Sequence, residues 1–505
     1  MGLTRLDRLG EWNPQLFREL KGQLKRRNVY LVVASSLLPQ LFIVVMFEHL
    51  VGDMPWQATF KLLNWLLPLL LLFCGVYLLI SNLGNEQHRG TLNFIRLSPQ
   101  SSQSILSGKL LGVPALLYLG IALAIPLHGV AGLATGVPLG WLLGVYLLWA
   151  AGCVLCYSAA LLITLLNRSP GGVQAQAWAG SFLSALFGLF YIGAIDSSFD
   201  TYQSGFGLGN WQWFLLPLSD RAGLVCAWTL ITLSVGTYWI WQAANRLFCN
   251  PNATLVSKRQ SYWLVGSIQV WLLGFAVPEL HADPSDVRFL IGSCFLFFFN
   301  PIGFLVLSMA LSPHRQACTE WVRYRHQNRS TQKGLVKRSL VQDLISGEKS
   351  SALVAIAINL LITTAIWVPW ILLWGDETSP QMIKTQHVLL GWLLTMTSTL
   401  LYAALIELMV FVKALRWLVG IALTGVALLV LQLVLASVLG IVSLNMPLLW
   451  VLSPVPAIAV AFSPTTTIFL AWLAQVAILG VFTLGLVRQL HKAGESTSKA
   501  LLAGR

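Results

Sequence analysis

The sequence predicts an all-α, polytopic integral membrane protein. Of its 505 residues 56% are hydrophobic and only 10% are charged, where ordinary soluble domains carry about 25% charged residues. Apolar runs of twenty or so residues recur along the whole chain, each long enough to cross a hydrocarbon core. The net charge of +13 fits the same class, because basic residues gather on the cytoplasmic loops of membrane proteins. No basic patch is interleaved with aromatics on a polar module, so no nucleic-acid partner is expected. Cys153 and Cys156 form a C-x-x-C inside an apolar run with no second pair, which suits small packing residues better than a redox or zinc pair. His49, His128, His281 and His387 form no pair at ligand spacing, so neither a metal nor a cofactor is expected.

Residues 1–28 open the chain with Arg5, Arg8, Arg18, Lys21, Lys25, Arg26 and Arg27. Within them Leu16, Phe17, Leu20 and Leu24 share one helical face opposite a charged one, the pattern of a connecting helix lying in the cytoplasmic interface. The run 29–47 is too long for a signal-peptide core and reads as an uncleaved first span. The first half, 29–250, continues with spans at 62–83, 110–127, 139–166, 174–194 and 222–244. Segment 195–221 holds Gly205, Gly207, Gly209 and the proline-broken stretch Trp213–Ser219, which suggests an outer re-entrant hairpin with a half-helix dipping into the membrane.

A polar break at 84–109 separates the second span from the third. Leu92, Phe94, Ile95 and Leu97 there cover one side of a short helix, and Ser98-Pro99 reads as an N-cap followed by proline at the first helical position. A second helix is therefore expected to begin at Pro99 and run on into the membrane. Such a helical elbow on the membrane face is a surface for a partner.

Two linking spans, 261–278 and 287–311, fill 251–311. A basic cytoplasmic insert, 312–349, ends in a second amphipathic helix. The region 350–492 offers spans at 351–374, 387–411, 417–441 and 465–487 with a re-entrant piece at 447–464, and 493–505 is a cytoplasmic tail. The later part echoes the first in order and spacing. Leu16-Phe-Arg-Glu-Leu resembles Leu340-Val-Gln-Asp-Leu, Leu63-Asn-Trp-Leu-Leu matches Leu390-Gly-Trp-Leu-Leu, and Trp213-Phe-Leu-Leu-Pro has a counterpart in Trp450-Val-Leu-Ser-Pro. Granting each half six spans and adding the two that join them gives about fourteen transmembrane helices.

With the N-terminus cytoplasmic, only Lys61, Arg221, Arg288 and Lys384 fall outside, which leaves 28 of the 32 basic residues inside. The expectation is a bacterial cytoplasmic (inner) membrane protein with both termini cytoplasmic. Glu407, near the cytoplasmic end of its span, is expected to snorkel and pair with Lys413 at the membrane edge. Asn359, Gln432 and Gln475 are expected to bond between helices.

Glu86, Arg89-Gly90-Thr91-Leu92, Leu97-Ser98-Pro99 and the run from Ile105 through Lys109 to Leu110 resemble the cytoplasmic loop of the type-2 ATP-binding-cassette exporter permeases. The resemblance covers residues 13–250 well and 337–492 weakly. It implies six spans per half, an amphipathic connecting helix, an outer re-entrant hairpin, and a loop that contacts the ATPase. The ATPase-coupling residues it implies are Glu86, Arg89, Gly90, Thr91, Leu92, Leu97, Ser98, Pro99 and Lys109. It further implies an ATPase partner, in two copies, and a small hydrophobic or lipid-like substrate taken from or through the lipid bilayer. No G-x-x-x-x-G-K-[ST] occurs in the chain, so ATP hydrolysis belongs to a separate polypeptide and the chain itself is not expected to be an enzyme. After the tenth span no Gly-Thr-Leu element follows, so the second half departs from the pattern. That departure keeps an alternative in view: a membrane assembly or scaffold protein that retains a permease fold without transport.

Overall fold

A computed structural model describes residues 10–50, 55–167, 172–204, 212–218, 222–277, 292, 295–328, 336–374, 385–410 and 464–494. Among the described residues the chain is all-α apart from one two-stranded hairpin, and it divides into two compact units. Among the described residues nine helices are long and apolar enough to cross a membrane. A tenth is reached if the helices Phe295–Leu311 and Arg315–Arg325, bent by 65° at their junction, count as one broken span.

The first unit comprises residues 1–211 and 217–251. A short helix, α1 (Pro14–Gln23), leads into α2 (Arg26–Leu50) and α3 (Pro55–His88). The elbow follows as α4 (Thr91–Arg96) and α5 (Ser102–Gly112), and then come α6 (Ala115–Ala134), α7 (Leu139–Leu166), α8 (Val173–Ser204) and α9 (Ala222–Cys249). Six of the nine apolar helices lie here. The 34-residue α3, with Pro68 inside it, is the central post against which α6, α7 and α8 pack. Small residues let these helices approach. Gly180, Ser184 and Gly188 repeat every four residues on α8; a Cβ at Gly180 would lie 2.4 Å from Ile80, and one at Gly188 2.7 Å from Leu72. Tyr157 of α7 fills the space left by Gly75 and donates to the Leu71 carbonyl at 2.7 Å. At the far end of α3, Asn64 and Trp65 both donate to the Asp196 carboxylate at 3.3 Å.

Two sequence expectations change in this unit. The helix expected to start at Pro99 starts at Ser102: Ser101 is its cap, accepting from the Ser104 N–H, while the Ser98 hydroxyl donates back to the Ile95 carbonyl. Nor does α5 run on unbroken, because Pro114 lies between it and α6. In segment 195–221 no half-helix occurs among the described residues. Instead α8 continues to Ser204, and strands β1 (Gln212–Trp213) and β2 (Leu216–Pro217) form a tight hairpin. Proline tolerates a sheet edge, which suits Pro217 to that place.

The second unit comprises residues 212–216 and 252–505. It contains α10 (Lys258–Ala276), a π-helical turn (Phe295–Phe299) continuing into α11 (Asn300–Leu311), α12 (Arg315–Asn328), α13 (Val336–Ser346), α14 (Leu353–Trp374), α15 (Thr385–Val410) and α16 (Thr465–Gly494). Segment 212–216 lies on α10, where the Trp213 indole occupies the notch at Gly274 and donates to the Trp271 carbonyl at 3.1 Å. Among the described residues the unit's apolar clusters lie around Phe304, Leu311 and Ile356, around Leu296, Trp367, Trp370 and Trp392, and around Leu394 and Ile468. The expected span at 417–441 with Gln432, and the expected re-entrant piece at 447–464 as far as residue 463, lie outside the described residues.

Candidate functional site

The site with the most built structure is the elbow of the first unit. Helix α3 ends where Gly90 takes a left-handed φ of 75°, a conformation that glycine adopts at no steric cost. The chain reverses there into α4, and the Thr91 hydroxyl donates to the Glu86 carbonyl at 3.1 Å. Leu92, only 1% exposed, pins α4 to the core, and the turn through Ser98 and Pro99 feeds α5.

Helix α1 lies across α5. Asn13 holds both: its Oδ1 caps α1 by accepting from the Leu16 N–H, and its Nδ2 donates to the Ser104 carbonyl at 2.8 Å. The approach is possible because Gly108 and Gly112 face α1. A Cβ at Gly108 would sit 2.8 Å from the Leu16 nitrogen, and one at Gly112 2.5 Å from the Glu19 Cβ. The buried side of α1 is therefore Gln15, Leu16 and Glu19, a largely polar edge. Of the expected apolar face only Leu16 is buried, while Leu24 is 42% exposed. Phe17 and Leu20 are half-buried, so the apolar face of α1 is only partly covered by the protein.

Between the two helices sits a four-charge cluster. Lys109, with no exposed surface, lies 2.7 Å from Glu86 Oε2 and 3.3 Å from Glu19 Oε1, and donates to Asn82 Oδ1 at 2.9 Å. Arg18, half exposed, bridges the same two carboxylates at 3.0 and 3.3 Å. Two cations and two anions cancel, which is what allows an ammonium to remain at zero exposure. On its other side the elbow is fastened to α9: the Arg96 guanidinium lies 5.3 Å from the Phe248 ring centre, and Ser102 bonds Asn245.

The expected coupling residues thus separate by direction. Arg89, Thr91, Leu97 and Pro99 are exposed; Leu92 and Lys109 are buried; Glu86 and Ser98 are half-buried. Leu92 and Lys109 consequently offer nothing to a partner's surface and act by holding the elbow. The tip carries Phe94 at 77% and Leu97 at 83% exposure. Beside it opens a cavity of about 540 Å³ lined by Arg18, Asn82, Asn85, Glu86, Arg89, Thr91, Phe94 and Ile95. Arg18, Glu19 and Asn82 were not singled out in the sequence; the pair Gly108 and Gly112, four apart, is the signal that marks a helix crossing there.

The second unit has its own polar node. Lys258, 2% exposed, donates to the Leu344 carbonyl at 2.9 Å, Ser350 Oγ at 2.7 Å and the Ser351 carbonyl at 2.6 Å. The Glu407 carboxylate accepts from Ser351 Oγ at 2.6 Å and from the Ala352 and Leu353 N–H groups at the start of α14. A carboxylate at a helix N-terminus meets both the free amides and the positive end of the dipole. Glu407 is 4% exposed, so it turns into the protein and does not snorkel; its expected partner Lys413 lies outside the described residues. Among the described residues no group of three His, Cys, Asp or Glu side chains could hold a metal.

Comparison with family models, with curated proteins and with solved structures finds no match to this chain.

Proposed function

We propose that the chain is the membrane-spanning permease subunit of an ATP-binding-cassette exporter, driven by a separately encoded ATPase that docks on the elbow of the first unit. The single observation that carries this reading is the contrast at the elbow. Phe94 and Leu97 stand free at its tip, while the stem behind them is fixed by the buried Lys109 cluster and the α1 crossing. Exposed large apolar side chains on a rigid mount are what a partner's groove requires, because little ordering entropy is lost on docking. The six apolar helices of the first unit match a permease half, and the full reading has about fourteen spans, with the elbow and both termini cytoplasmic in a bacterial inner membrane. The substrate class, hydrophobic or lipid-like, follows from the family resemblance.

The test is co-expression with an ATP-binding-cassette ATPase encoded beside this chain. Phe94→Asp combined with Leu97→Asp should lower co-purified ATPase at least about tenfold, since each side chain contributes roughly 1.5–3 kcal/mol on burial. The chain's own yield and melting temperature should not change, because both side chains are exposed. ATPase recovered at the wild-type yield would end the docking claim. A complex that forms normally yet shows no substrate-stimulated hydrolysis would favour the scaffold reading, which the missing Gly-Thr-Leu element after the tenth span also supports.

A further inference from the structure

The cavity beside the elbow has acceptors that are spent and donors that are not. Glu86 takes Lys109 through Oε2 at 2.7 Å and Arg18 through Oε1 at 3.0 Å, while Glu19 Oε1 takes both cations at 3.3 Å. Those two cations and two anions cancel, which leaves Arg89 on the cavity wall as a positive charge over. Its guanidinium is exposed and makes no ion pair or hydrogen bond among the described residues. Arg18 reaches both acids through Nη2, so its Nη1 and Nε stay uncommitted. A lysine can only donate. The 2.9 Å bond from Lys109 therefore fixes Asn82 with its oxygen toward the ammonium and leaves its Nδ2 without an acceptor among the described residues. Two guanidinium groups and an amide N–H around one space suit an anion rich in acceptor oxygens, and phosphate is the group whose geometry a guanidinium matches.

The depth of the cavity and its apolar wall narrow the source of that phosphate. On α3 the apolar run 69–80 gives way to Asn82, Asn85 and Glu86, and on α5 Lys109 is followed by an uncharged run, 110–127. The bond between Lys109 and Asn82 sets these two changes of polarity at one level, and the cavity opens on its polar side. Lipid headgroups flank the hydrocarbon core at that level. Phe94 and Ile95 add apolar surface to the wall, which a bare phosphate ion has no use for. The volume of about 540 Å³ belongs with sites for small organic molecules, about 300–1,000 Å³.

We infer that the cavity receives the phosphate headgroup of an anionic phospholipid, clamped by Arg18 and Arg89, with Phe94 and Ile95 against the glycerol and the first acyl carbons. Basic pockets at the cytoplasmic ends of membrane helices take headgroups in this way. The inference concerns the first unit alone and does not require an ATPase partner.

The test uses the detergent-purified full chain, native mass spectrometry, and two lipids with the same acyl chains: dioleoylphosphatidylglycerol, which is anionic, and dioleoylphosphatidylcholine, whose own cation cancels its phosphate. The wild type should retain the anionic lipid roughly tenfold better, the low end for a hydrogen bond to a charged group. Arg89→Gln should remove most of that preference at an unchanged melting temperature, and Arg89→Lys, which keeps the charge, should keep most of it. Arg27→Gln, at an exposed arginine outside the cavity, should keep it in full. Glycerol phosphate, a headgroup without chains, should displace little lipid at equal concentration; full displacement would assign the cavity to a soluble phosphate compound and overturn the lipid. Equal retention of both lipids by the wild type overturns the proposal, as does an Arg89→Gln variant that keeps the preference or an Arg27→Gln variant that loses as much.

Discussion

Lys109 has no exposed surface, and Glu86 and Glu19 stand 2.7 and 3.3 Å from its Nζ. Removing one member of such a buried set leaves the others uncompensated, at a cost of about 3–5 kcal/mol. Lys109→Met should therefore lower the melting temperature of the purified chain. Adding Glu19→Gln and Glu86→Gln should restore most of the loss, because neutral amides no longer need a cation. An unchanged melting temperature in the single variant would show the cluster to be dispensable. At this scale the sequence was legible in part. Glu86, Leu92 and Lys109 were recognisable as belonging together, since the loop pattern joins them. Their direction was not, because spacing along a chain of two short helices does not say which side turns inward once a third helix crosses it. The four apolar residues expected on one side of a short helix divide instead: Leu92 is buried while Phe94 and Leu97 are exposed, because on a helix two residues apart means opposite faces.

Helices α1 and α5 show how an element can be found correctly while the contacts that hold it are not. The apolar stripe of α1 was plain, but its packed edge is Gln15, Leu16 and Glu19, since the partner surface is a glycine groove beside a buried ammonium. That groove is specific: Gly112→Leu would drive a side chain into Glu19 and should release α1 from α5. Limited proteolysis at Lys25, Arg26 and Arg27 should then be faster in the variant than in the wild type, with α3 to α9 still protected; equal rates would show that α1 does not depend on the groove. The stretches 16–24 and 340–348, which echo each other in sequence, share one feature when each unit is taken separately. A fully buried lysine lies under each amphipathic helix, Lys109 beneath α1 and Lys258 beneath α13. The two arrive from different elements, α5 and α10, so the sequence repeat could not reveal the likeness.

At the scale of the whole chain, hydropathy carries most of what was legible. Every one of the nine apolar helices falls on an expected span, because a twenty-residue apolar run has no other way to satisfy its backbone in lipid than as a helix. Helix ends beyond the apolar runs were not legible: α3 continues to His88 and α8 to Ser204, where polar residues prolong a helix at no cost in water. Orientation remains a proposal with a direct check. In a cysteine-free background, Phe94→Cys should react with a membrane-impermeant maleimide only after the membrane is opened, and Pro138→Cys should react in intact cells. The reverse pattern would invert the topology and move the elbow away from any ATPase.

The length of α3 gives the elbow a mechanical setting. Its 34 residues span about 51 Å at 1.5 Å per residue, well beyond a hydrocarbon core of about 30 Å. Pro68 divides it, and a proline is where a helix bends most readily. From Pro68 to His88 the arm is about 30 Å long, so a swing of 10° at that pivot carries the elbow about 5 Å sideways. A modest push at Phe94 and Leu97 would thus be geared down into a small rotation among α3, α6, α7 and α8, and a small rotation there would be magnified at the tip.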